Sequence, residues 1–435
     1  MEKNRRSLSW FVKVKVFVLI VVSILALAGC QPPASTPDVT RITLWQGVNP
    51  PSNRDVLQKL VAQFNQTHRD IHVESLYVGQ AEQQLPKILA AVVGNAPPDL
   101  LWFNATLTGQ LVELDAIRPL EDWLDKLPVK NEIDPALFAS MEYQKHIWSV
   151  PFGTNNSGVF YRPSLFQAAG ITKLPETWEE LRQVARQLTR DTDGDKRIDQ
   201  HGMFLPLGKG EFAVFLWLPF MWSAGGDLVA GTQQAAAVDL ANNQGAIAAL
   251  QFWQDLIADG SVVLSLPERG FETDDFLAGR VAMQLTGPWT LGQLKSTGVD
   301  FGVFPIPVDK RPATGIGGEN LFVFKSTPQR EQAALKFSEF VLSEQFQTEW
   351  AIGTGYLPVN LKARESAEYK AFATEIPAVQ VFLDQAQYAR SRPIFVGYSR
   401  VSENIGRALE AVLLGKSSPA QALQAAQQRL NLIFQ

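Results

Sequence analysis

The spacing of apolar and polar residues predicts alternating strands and helices from about residue 41 onward. Residues 41–46, 71–78 and 99–103 are short apolar runs typical of strands. The stretches between them place apolar residues three or four positions apart, as amphipathic helices do. Ser52 and Asn53 are expected to cap the first of these helices. Alternation of this kind favours a parallel sheet covered by helices.

A second block of the same kind is expected to reach about residue 300. Thr177 and Glu180 have the spacing of a capping box ahead of an amphipathic helix. Apolar residues at helical spacing from 247 to 257 predict another helix, and residues 281–285 predict a strand. The chain is longer than one core usually supports, so we expect an α/β protein of two lobes with a cleft between them.

Three segments are suited to carry the chain from one lobe to the other. Residues 151–156 (PFGTNN) separate two predicted strands, and residues 301–307 form a strand that ends in proline. Residues 353–358 (GTGYLP) are a turn-rich break ahead of a mostly helical C-terminal part. We therefore expect a hinge of several crossings.

The N-terminus has the pattern of a secretory signal at residues 1–29. Basic residues precede an apolar core at 16–28, which is too short to span a bilayer stably. The ending Leu-Ala-Gly-Cys at 27–30 resembles the lipobox of bacterial lipoproteins, in which the cysteine, here Cys30, is lipidated. The alternative is an ordinary signal with an incidental cysteine. Residues 31–38 (QPPASTPD) are proline-rich and polar, as expected of a tether.

Composition narrows the classes of function. Removal of residues 1–29 takes away five basic residues and one acidic residue, so the formal net charge goes from −5 to −9. Such a chain is a poor candidate for binding nucleic acid or an anionic membrane surface. Cys30 is the single cysteine, which excludes disulfides, cysteine nucleophiles and cysteine-ligated zinc from the folded part.

One acidic stretch has the spacing of a calcium loop. Four aspartates stand at positions 1, 3, 5 and 9 of such a loop, and the apolar Ile198 stands at position 8. Position 6 is Lys196 instead of glycine, and position 12 is Gly202 instead of an acid. A structural calcium ion and a solvated acidic turn both remain open, and no other cofactor is expected. The four aspartates are Asp191, Asp193, Asp195 and Asp199.

Several short motifs, each present once, follow one another along the chain in a characteristic order. They are 43–45 (TLW), 94–101 (GNAPPDLL), 150–152 (VPF), 175–181 (PETWEEL), 278–283 (AGRVAM), 287–289 (GPW), 317–321 (GGENL) and 355–358 (GYLP). Each is weak alone, but together they resemble the family 1 extracellular solute-binding proteins of bacterial ABC importers. The resemblance covers nearly all of residues 41–430.

That resemblance implies the two-lobed type II periplasmic-binding-protein fold. The lobes would close on a sugar, polyol or sugar phosphate and then dock on a membrane permease. The N-terminal lobe would be about 39–152 plus 305–352, and the C-terminal lobe about 153–304 plus 353–435. Residues 30–38 would be the tether.

Aromatic faces and planar polar groups at the ends of strands are the expected elements of a carbohydrate site. The candidates end predicted strands or lie in the first crossing. Trp102 also ends a predicted strand, but Trp45 and Trp102 suit the hydrophobic core equally well. In the aromatic run 212–222, most residues must be buried, and Trp217 and Trp222 are the candidates to face the cleft. The strand-end and crossing candidates are Trp45, Phe103, Asn104, Asn155 and Asn156.

Similarity to the maltose-binding members places Trp289, Phe103 and Asn155 near the ligand. A carboxylate stands in those members where this chain has Asn155, which argues against a maltodextrin. The turn formed by Gly318, Glu319 and Asn320 most resembles the glycerol-3-phosphate-binding branch. Its backbone N–H groups would suit an oxygen-rich ligand, and the alternative is a plain tight turn.

The glycerol-3-phosphate branch uses an arginine on a late loop where this chain has Phe395, in the same loop as Tyr398. Without that cation a phosphate loses a charge-assisted partner, so we favour an uncharged glycoside or polyol. The alternative is that Arg392 or Arg400 supplies the positive charge that is missing at Phe395.

The leading hypothesis is therefore a binding component without catalysis, exported and lipid-anchored, facing the periplasm or cell exterior. It would act as a monomer that captures a sugar, glycosyl-polyol or oligosaccharide by hinge closure for a permease. The alternatives are glycerol-3-phosphate or another sugar phosphate as ligand, a sensor that uses the same closure, and a lipid-anchored glycosidase.

Overall fold

The computed structural model describes residues 39–229, 238–264 and 273–434. The signal segment, Cys30 and the tether lie outside the described residues. Across the described ranges, no helix has the length and apolar character needed to cross a membrane. The protein is of the α/β class, as the sequence pattern predicts.

Fourteen strands are present in the described residues. They are β1 (Thr40–Gln46), β2 (Ile71–Tyr77), β3 (Leu100–Asn104), β4 (Glu142–Tyr143), β5 (His146–Ile147), β6 (Ser149–Pro151), β7 (Gly158–Tyr161), β8 (His201–Leu205), β9 (Val262–Leu264), β10 (Val281–Thr286), β11 (Gly302–Phe304), β12 (Thr314–Ile316), β13 (Glu319–Val323) and β14 (Ala389–Ser391).

The helices cover the sheets and build much of the C-terminal part. They are α1 (Pro51–Thr67), α2 (Ala81–Val93), α3 (Thr108–Glu113), α4 (Glu121–Leu124), α5 (Phe138–Met141), α6 (Pro163–Ala168), α7 (Trp178–Leu188), α8 (Glu211–Ser223), α9 (Gln244–Ala258), α10 (Asp274–Leu277), α11 (Leu291–Thr297), α12 (Pro328–Leu342), α13 (Glu344–Thr354), α14 (Leu361–Glu365), α15 (Ala367–Glu375), α16 (Ala378–Gln385), α17 (Tyr398–Leu413) and α18 (Pro419–Ile433).

Two five-stranded sheets organise the molecule. The first has the order β2-β1-β3-β13-β6, in which β1 is parallel to β2 and β3, while β13 runs antiparallel to β3 and β6. The second has the order β11-β7-β10-β8-β9, with β8 parallel to β9 and β10, and β7 antiparallel to β10 and β11. Each sheet thus has the parallel strand pairs that βα alternation predicts. Each also contains antiparallel strands, which the chain forms where it enters that sheet again.

The chain passes between the two sheets more than once. It leaves the first sheet after β6 and enters the second at β7, then returns between β11 and β13. Helices α12 and α13 pack on the first-sheet side, and α16 packs against β11 of the second sheet. The crossings lie near residues 151–156 and after residue 304, while the lobe boundaries stated above stay a prediction.

Of the two helix caps that the sequence predicts, one is formed. The capping box of Thr177 and Glu180 is formed at the start of α7, and Gly94 caps the end of α2. The predicted cap of α1 is wrong: the helix begins at Pro51, and Ser52 and Asn53 lie inside its first turn. Proline suits the first helical position because its missing N–H would have no helical partner. Asn53 is instead fully buried.

Candidate functional site

A cleft lies between the two sheets, and its inner part consists of two adjoining cavities of about 40 and 70 Å³. We call these two cavities the inner cleft. A larger cavity of about 340 Å³ adjoins them, and we call it the outer chamber. Ala81 and Asn104 line all three cavities.

Strand ends supply much of the wall of the inner cleft. Gly47 and Asn49 follow β1, and Asn104 ends β3. Glu319 begins β13 and pairs in register with Asn104, because β13 runs antiparallel to β3. Trp289 follows β10 of the second sheet. The site therefore sits beyond the carboxyl ends of parallel strands, where open α/β sheets bind ligands.

Trp289 forms an aromatic wall of the inner cleft and is 9% exposed. Its ring lies directly on Gly287: a Cβ added at Gly287 would be 2.1 Å from the ring atom Cζ3. Phe215 stands on the other side, with ring centroids 6.4 Å apart. The glycine of the Gly-Pro-Trp motif is thus required by the position of the tryptophan ring.

A partly buried ion pair lies at the second-sheet side of the inner cleft. Arg392 Nη1 donates to Glu211 Oε1 at 2.5 Å, and the Tyr398 hydroxyl donates to the same oxygen at 3.1 Å. Ser402 donates to the other carboxylate oxygen. The Arg392 guanidinium also lies over the Phe215 ring, 4.9 Å from its centroid.

The surroundings keep Arg392 charged. Burial disfavours the charged form of Arg392, but the neighbouring Glu211, Tyr398 and Glu319 more than offset it and raise the pKa of Arg392. Burial and the Glu211 carboxylate raise the pKa of Tyr398 well above its usual value, so its hydroxyl stays a donor. The positive charge of Arg392 is therefore already matched by Glu211.

Several residues that line the inner cleft carry acceptor oxygens. Asn155 Oδ1 and Gln84 Oε1 are buried and have no hydrogen-bond partner within the described part of the chain. The Tyr356 hydroxyl donates to Glu319 Oε2 at 3.3 Å, and both residues line both inner cavities. Buried acceptors without partners are costly, so these two amide oxygens are a source of strain beside the inner cleft.

The glycine turn before β13 is shaped by packing against the first crossing. Gly318 has φ +104°, and a Cβ there would lie 2.1 Å from the carbonyl oxygen of Gly153. The N–H of Gly317 donates to Asn155 O at 2.8 Å. Gly318 and Glu319 line the inner cleft, but the Gly317 N–H is engaged with the protein and does not face a ligand.

Several predicted site residues have other roles. Trp217 is fully buried and Trp222 is 2% exposed, so both lie in the core of the second-sheet side and not on the cleft. Trp45 is half-buried and packs in the hydrophobic cluster that includes Phe103. Helix α8 is apolar on every face, which is why its sequence could not indicate which tryptophan faces outward.

Two asparagines hold the fold together. Asn156 donates to Phe382 O at 2.8 Å and accepts from Gln385, and Asn320 donates to Ser140 O and Ser149 Oγ, each at 2.8 Å. Both side chains are therefore occupied by the protein.

Phe395 is also placed away from the ligand. It is 3% exposed, its ring packs against Tyr398 with centroids 5.9 Å apart, and its backbone lies close to Gly109. Arg392, three positions earlier, enters the inner cleft from the same loop. Of the two arginines that the sequence offered as compensation, Arg392 lines the inner cleft and Arg400 lines the outer chamber.

The sequence pattern missed Glu211, Tyr356, Gln84 and Phe215 as site residues. The available signal for Glu211 was its position directly ahead of the aromatic run, at the start of α8. An acid in the first turn of a buried helix is a common stabilising feature, so that signal does not by itself indicate a site.

The acidic loop lies on the surface, away from the cleft. Carboxylate oxygens of Asp191, Asp193 and Asp195 lie within 4.8 Å of one another. Asp199 instead accepts hydrogen bonds from Thr192, at 2.7 Å from its hydroxyl. Lys196, at the position where such loops prefer glycine, has φ +70°. Calcium binding stays a prediction.

The chain is similar to proteins of known family. A family model described as bacterial extracellular solute-binding protein matches residues 59–377. The sn-glycerol-3-phosphate-binding periplasmic protein UgpB of Escherichia coli is 25% identical over 432 residues, which cover 95% of this chain and 96% of that protein.

Solved structures share the fold. An ABC transporter solute-binding protein of Thermotoga lettingae, bound with alpha-D-tagatose, superposes with a TM-score of 0.81 at 23% identity and covers 91% of this chain and 100% of that chain. UgpB of Mycobacterium tuberculosis, in complex with glycerophosphocholine, has a TM-score of 0.79 at 21% identity and covers 91% and 98% of the two chains. These neighbours show the type II periplasmic-binding-protein fold for this chain.

Proposed function

The chain belongs to the bacterial extracellular solute-binding proteins, and from that membership we propose that it captures a neutral, hydroxyl-rich solute for an ABC importer. The relatives support an importer of sugars or glycerol phosphates. Within those two classes we propose a sugar, glycosyl-polyol or oligosaccharide.

The observation that carries this choice is the pairing of Arg392 with Glu211. Among the described residues that line the inner cleft, Arg392 is the one cation, and its charge is matched at 2.5 Å by a carboxylate. Glu319 adds a second carboxylate to the same wall. A phosphate would have to displace Glu211 from Arg392 or lie beside two carboxylates, whereas hydroxyl groups can donate to carboxylates.

Capture would proceed by closure of the two lobes over the solute. Trp289 comes from the second-sheet side and Gln84 and Asn104 from the first-sheet side, so a ligand between them touches both. Such a ligand stabilises the closed form by its greater affinity for that form. Delivery to a membrane permease follows as the proposed next step.

A glycosidase would need two carboxyl groups flanking one bond, one of them protonated. Glu211 and Glu319 do line the same cavity. Glu211, however, accepts hydrogen bonds from Arg392, Tyr398 and Ser402, which occupy both of its carboxylate oxygens. This arrangement supports binding and argues against acid catalysis.

The proposal also includes the cellular location of the protein. Lipidation at Cys30 would hold the folded part near its permease through the segment 31–38. Replacement of Cys30 by serine is expected to move the expressed protein from the membrane fraction to the soluble exported fraction. Unchanged membrane association of the Cys30→Ser variant would contradict the anchor.

The test of the ligand class is a panel of neutral sugars, disaccharides, glycosyl-polyols and glycerol phosphates. Tryptophan fluorescence and the thermal unfolding midpoint report binding, and chromatography of the incubated ligand reports hydrolysis. We expect a response to neutral compounds, with the compound recovered intact. A response confined to the phosphates, or cleavage of a glycoside, would overturn the proposal.

A further inference from the structure

Helix α8 begins in the wall of the outer chamber without a capping side chain from its own segment. Gly210 is its N-cap residue and has no side chain to accept from the first N–H groups of the helix. The acid of its first turn, Glu211, is occupied by other partners, among them Arg392. The positive end of the helix dipole is therefore open to an acceptor from another part of the chain.

That acceptor comes from the opposite side of the cleft. Glu82 lies in the first turn of α2, and Ile88 of the same helix belongs to a hydrophobic cluster with Leu101 of β3 in the first sheet. The N–H of Phe212, in the first turn of α8, donates to Glu82 Oε1 at 3.5 Å. Glu82 thus has the role for α8 that an N-cap side chain usually has for its own helix.

Gly210 leaves room for this approach. A Cβ at Gly210 would lie 2.3 Å from Glu82 Oε1 and 2.6 Å from Glu82 Cγ. The backbone of Gly210 has φ −87° and ψ 168°, an extended conformation that any residue adopts. The glycine is therefore required by the position of the carboxylate and not by the shape of the chain.

The lysine beside this contact is directed elsewhere. Lys209 lines the outer chamber with Glu82, but its Nζ lies 3.7 Å from Glu410 Oε2 on α17. The carboxylate of Glu82 also lies near the positive end of its own helix, α2, and could stabilise that helix alone. The two roles differ in their consequence, because only the contact with α8 joins the two sides of the cleft.

From these contacts we infer that Glu82 and Gly210 form a latch across the cleft, through which the chain itself holds its two sides together at the outer chamber. A latch of this kind stabilises the closed form before a solute binds, so it raises the apparent affinity for any solute that needs closure. Glu82 is a positioning residue, since it acts on the solute through the position of α8. The inference goes beyond the proposed function, and its test needs no solute.

Glu82→Ala tests the latch from the first-sheet side. Small-angle X-ray scattering of the mature protein gives its radius of gyration, and hydrogen exchange gives the protection of the amides of residues 212–217. We expect a larger radius than in the wild type and about five-fold faster exchange at these amides, the usual effect of losing a helix cap. Glu74→Ala removes an exposed carboxylate from β2 of the same sheet and is the matched control, with neither change expected.

Gly210→Ser separates the latch from the cap. Serine is among the best N-cap residues, so it should protect the first turn of α8 at least as well as the wild-type contact does. Its Cβ, however, would occupy the position of the Glu82 carboxylate. We therefore expect a larger radius of gyration without faster exchange in α8. The double variant Glu82→Ala/Gly210→Ser should open no further than either single variant, because both remove the same contact.

Two results would overturn the inference. An unchanged radius for either single variant, with or without faster exchange in α8, would show that the carboxylate does not hold the two sides together. A loss of protection confined to α2 in Glu82→Ala would assign Glu82 to the stability of its own helix. Either result would leave the proposed capture of a solute unaffected.

Discussion

Asn53 Nδ2 donates to the carbonyl oxygen of Trp289 at 3.0 Å, across 236 positions of sequence. Asn53 belongs to helix α1, which packs on the first sheet, and Trp289 follows β10 of the second sheet. The aromatic wall of the cleft is therefore tied to the opposite lobe by a buried side-chain hydrogen bond. This hydrogen bond stabilises the observed arrangement of the two sides of the cleft.

Loss of this bond should weaken ligand binding. Asn53→Ala removes one buried hydrogen bond of the closed form, a change of about 1 kcal/mol, or about five-fold in affinity for the responding neutral ligand. Isothermal titration measures the effect. Gln58→Ala removes an exposed hydrogen bond from the same helix to Ser75 O and is the matched control, with no expected change in affinity. Equal affinities for wild type and Asn53→Ala would show that the bond does not support closure.

Gly287→Ala should displace the aromatic wall. The added Cβ would lie 2.1 Å from the Trp289 ring, closer than any tolerated contact, so the ring must move. The backbone at Gly287 has φ −138°, which alanine adopts freely, so the local chain is not strained. We expect at least a ten-fold loss of ligand affinity and an altered tryptophan emission spectrum. Wild-type affinity with an unchanged spectrum would mean that the ring does not contact the ligand.

Acid stability should depend on the link between helices α7 and α9. Arg182 donates to Asp259 and Asp255 at 2.5–3.0 Å, and its hydrogen bonds to Asp259 lower the pKa of that carboxyl below its usual value of 3.8. A lowered folded-state pKa gives stability that is present above the unfolded pKa and is lost as the pH falls through the folded value.

Arg182→Met should therefore lower the free energy of unfolding by about 1–2 kcal/mol at pH 7, and the difference from wild type should shrink below about pH 4. Urea unfolding at pH 7, 5 and 3 measures it. Lys173→Met removes an exposed lysine that pairs with Glu176 and Glu180, and should have no measurable effect. A difference that persists unchanged at pH 3 would contradict the assignment.

Calcium binding to the acidic loop has a direct thermal test. If Asp191, Asp193 and Asp195 hold an ion, millimolar calcium should raise the unfolding midpoint, because a ligand of the native state alone stabilises it. Asp193→Asn should abolish the increase. The same midpoint with calcium and with a chelator would identify the segment as a solvated turn.

Much of the fold is predictable because its signals are local. Strand β3 is buried throughout, so it appears in the sequence as an unbroken apolar run. The capping box of Thr177 and Glu180 depends on residues three positions apart. Trp289, which the resemblance places near the ligand, lines the inner cleft.

The charge balance of the cleft was not predictable in the same way. Arg392 and Glu211 are 181 positions apart and meet only because the late loop folds back onto the start of α8. Spacing along the chain carries no information on such a contact. The positions of Trp217 and Trp222 were not predictable for a different reason. Their helix is buried on every face, so its sequence has no periodicity that marks an exposed side.

The central claim is that the cleft takes a neutral solute because Glu211 already matches the charge of Arg392. The most direct measurement is a pair of isothermal titrations of the wild-type mature protein at pH 7, one with the best neutral glycoside and one with sn-glycerol 3-phosphate. We predict saturable binding of the glycoside and no detectable heat with the phosphate at millimolar concentration. Tighter binding of sn-glycerol 3-phosphate than of every neutral glycoside would contradict the account.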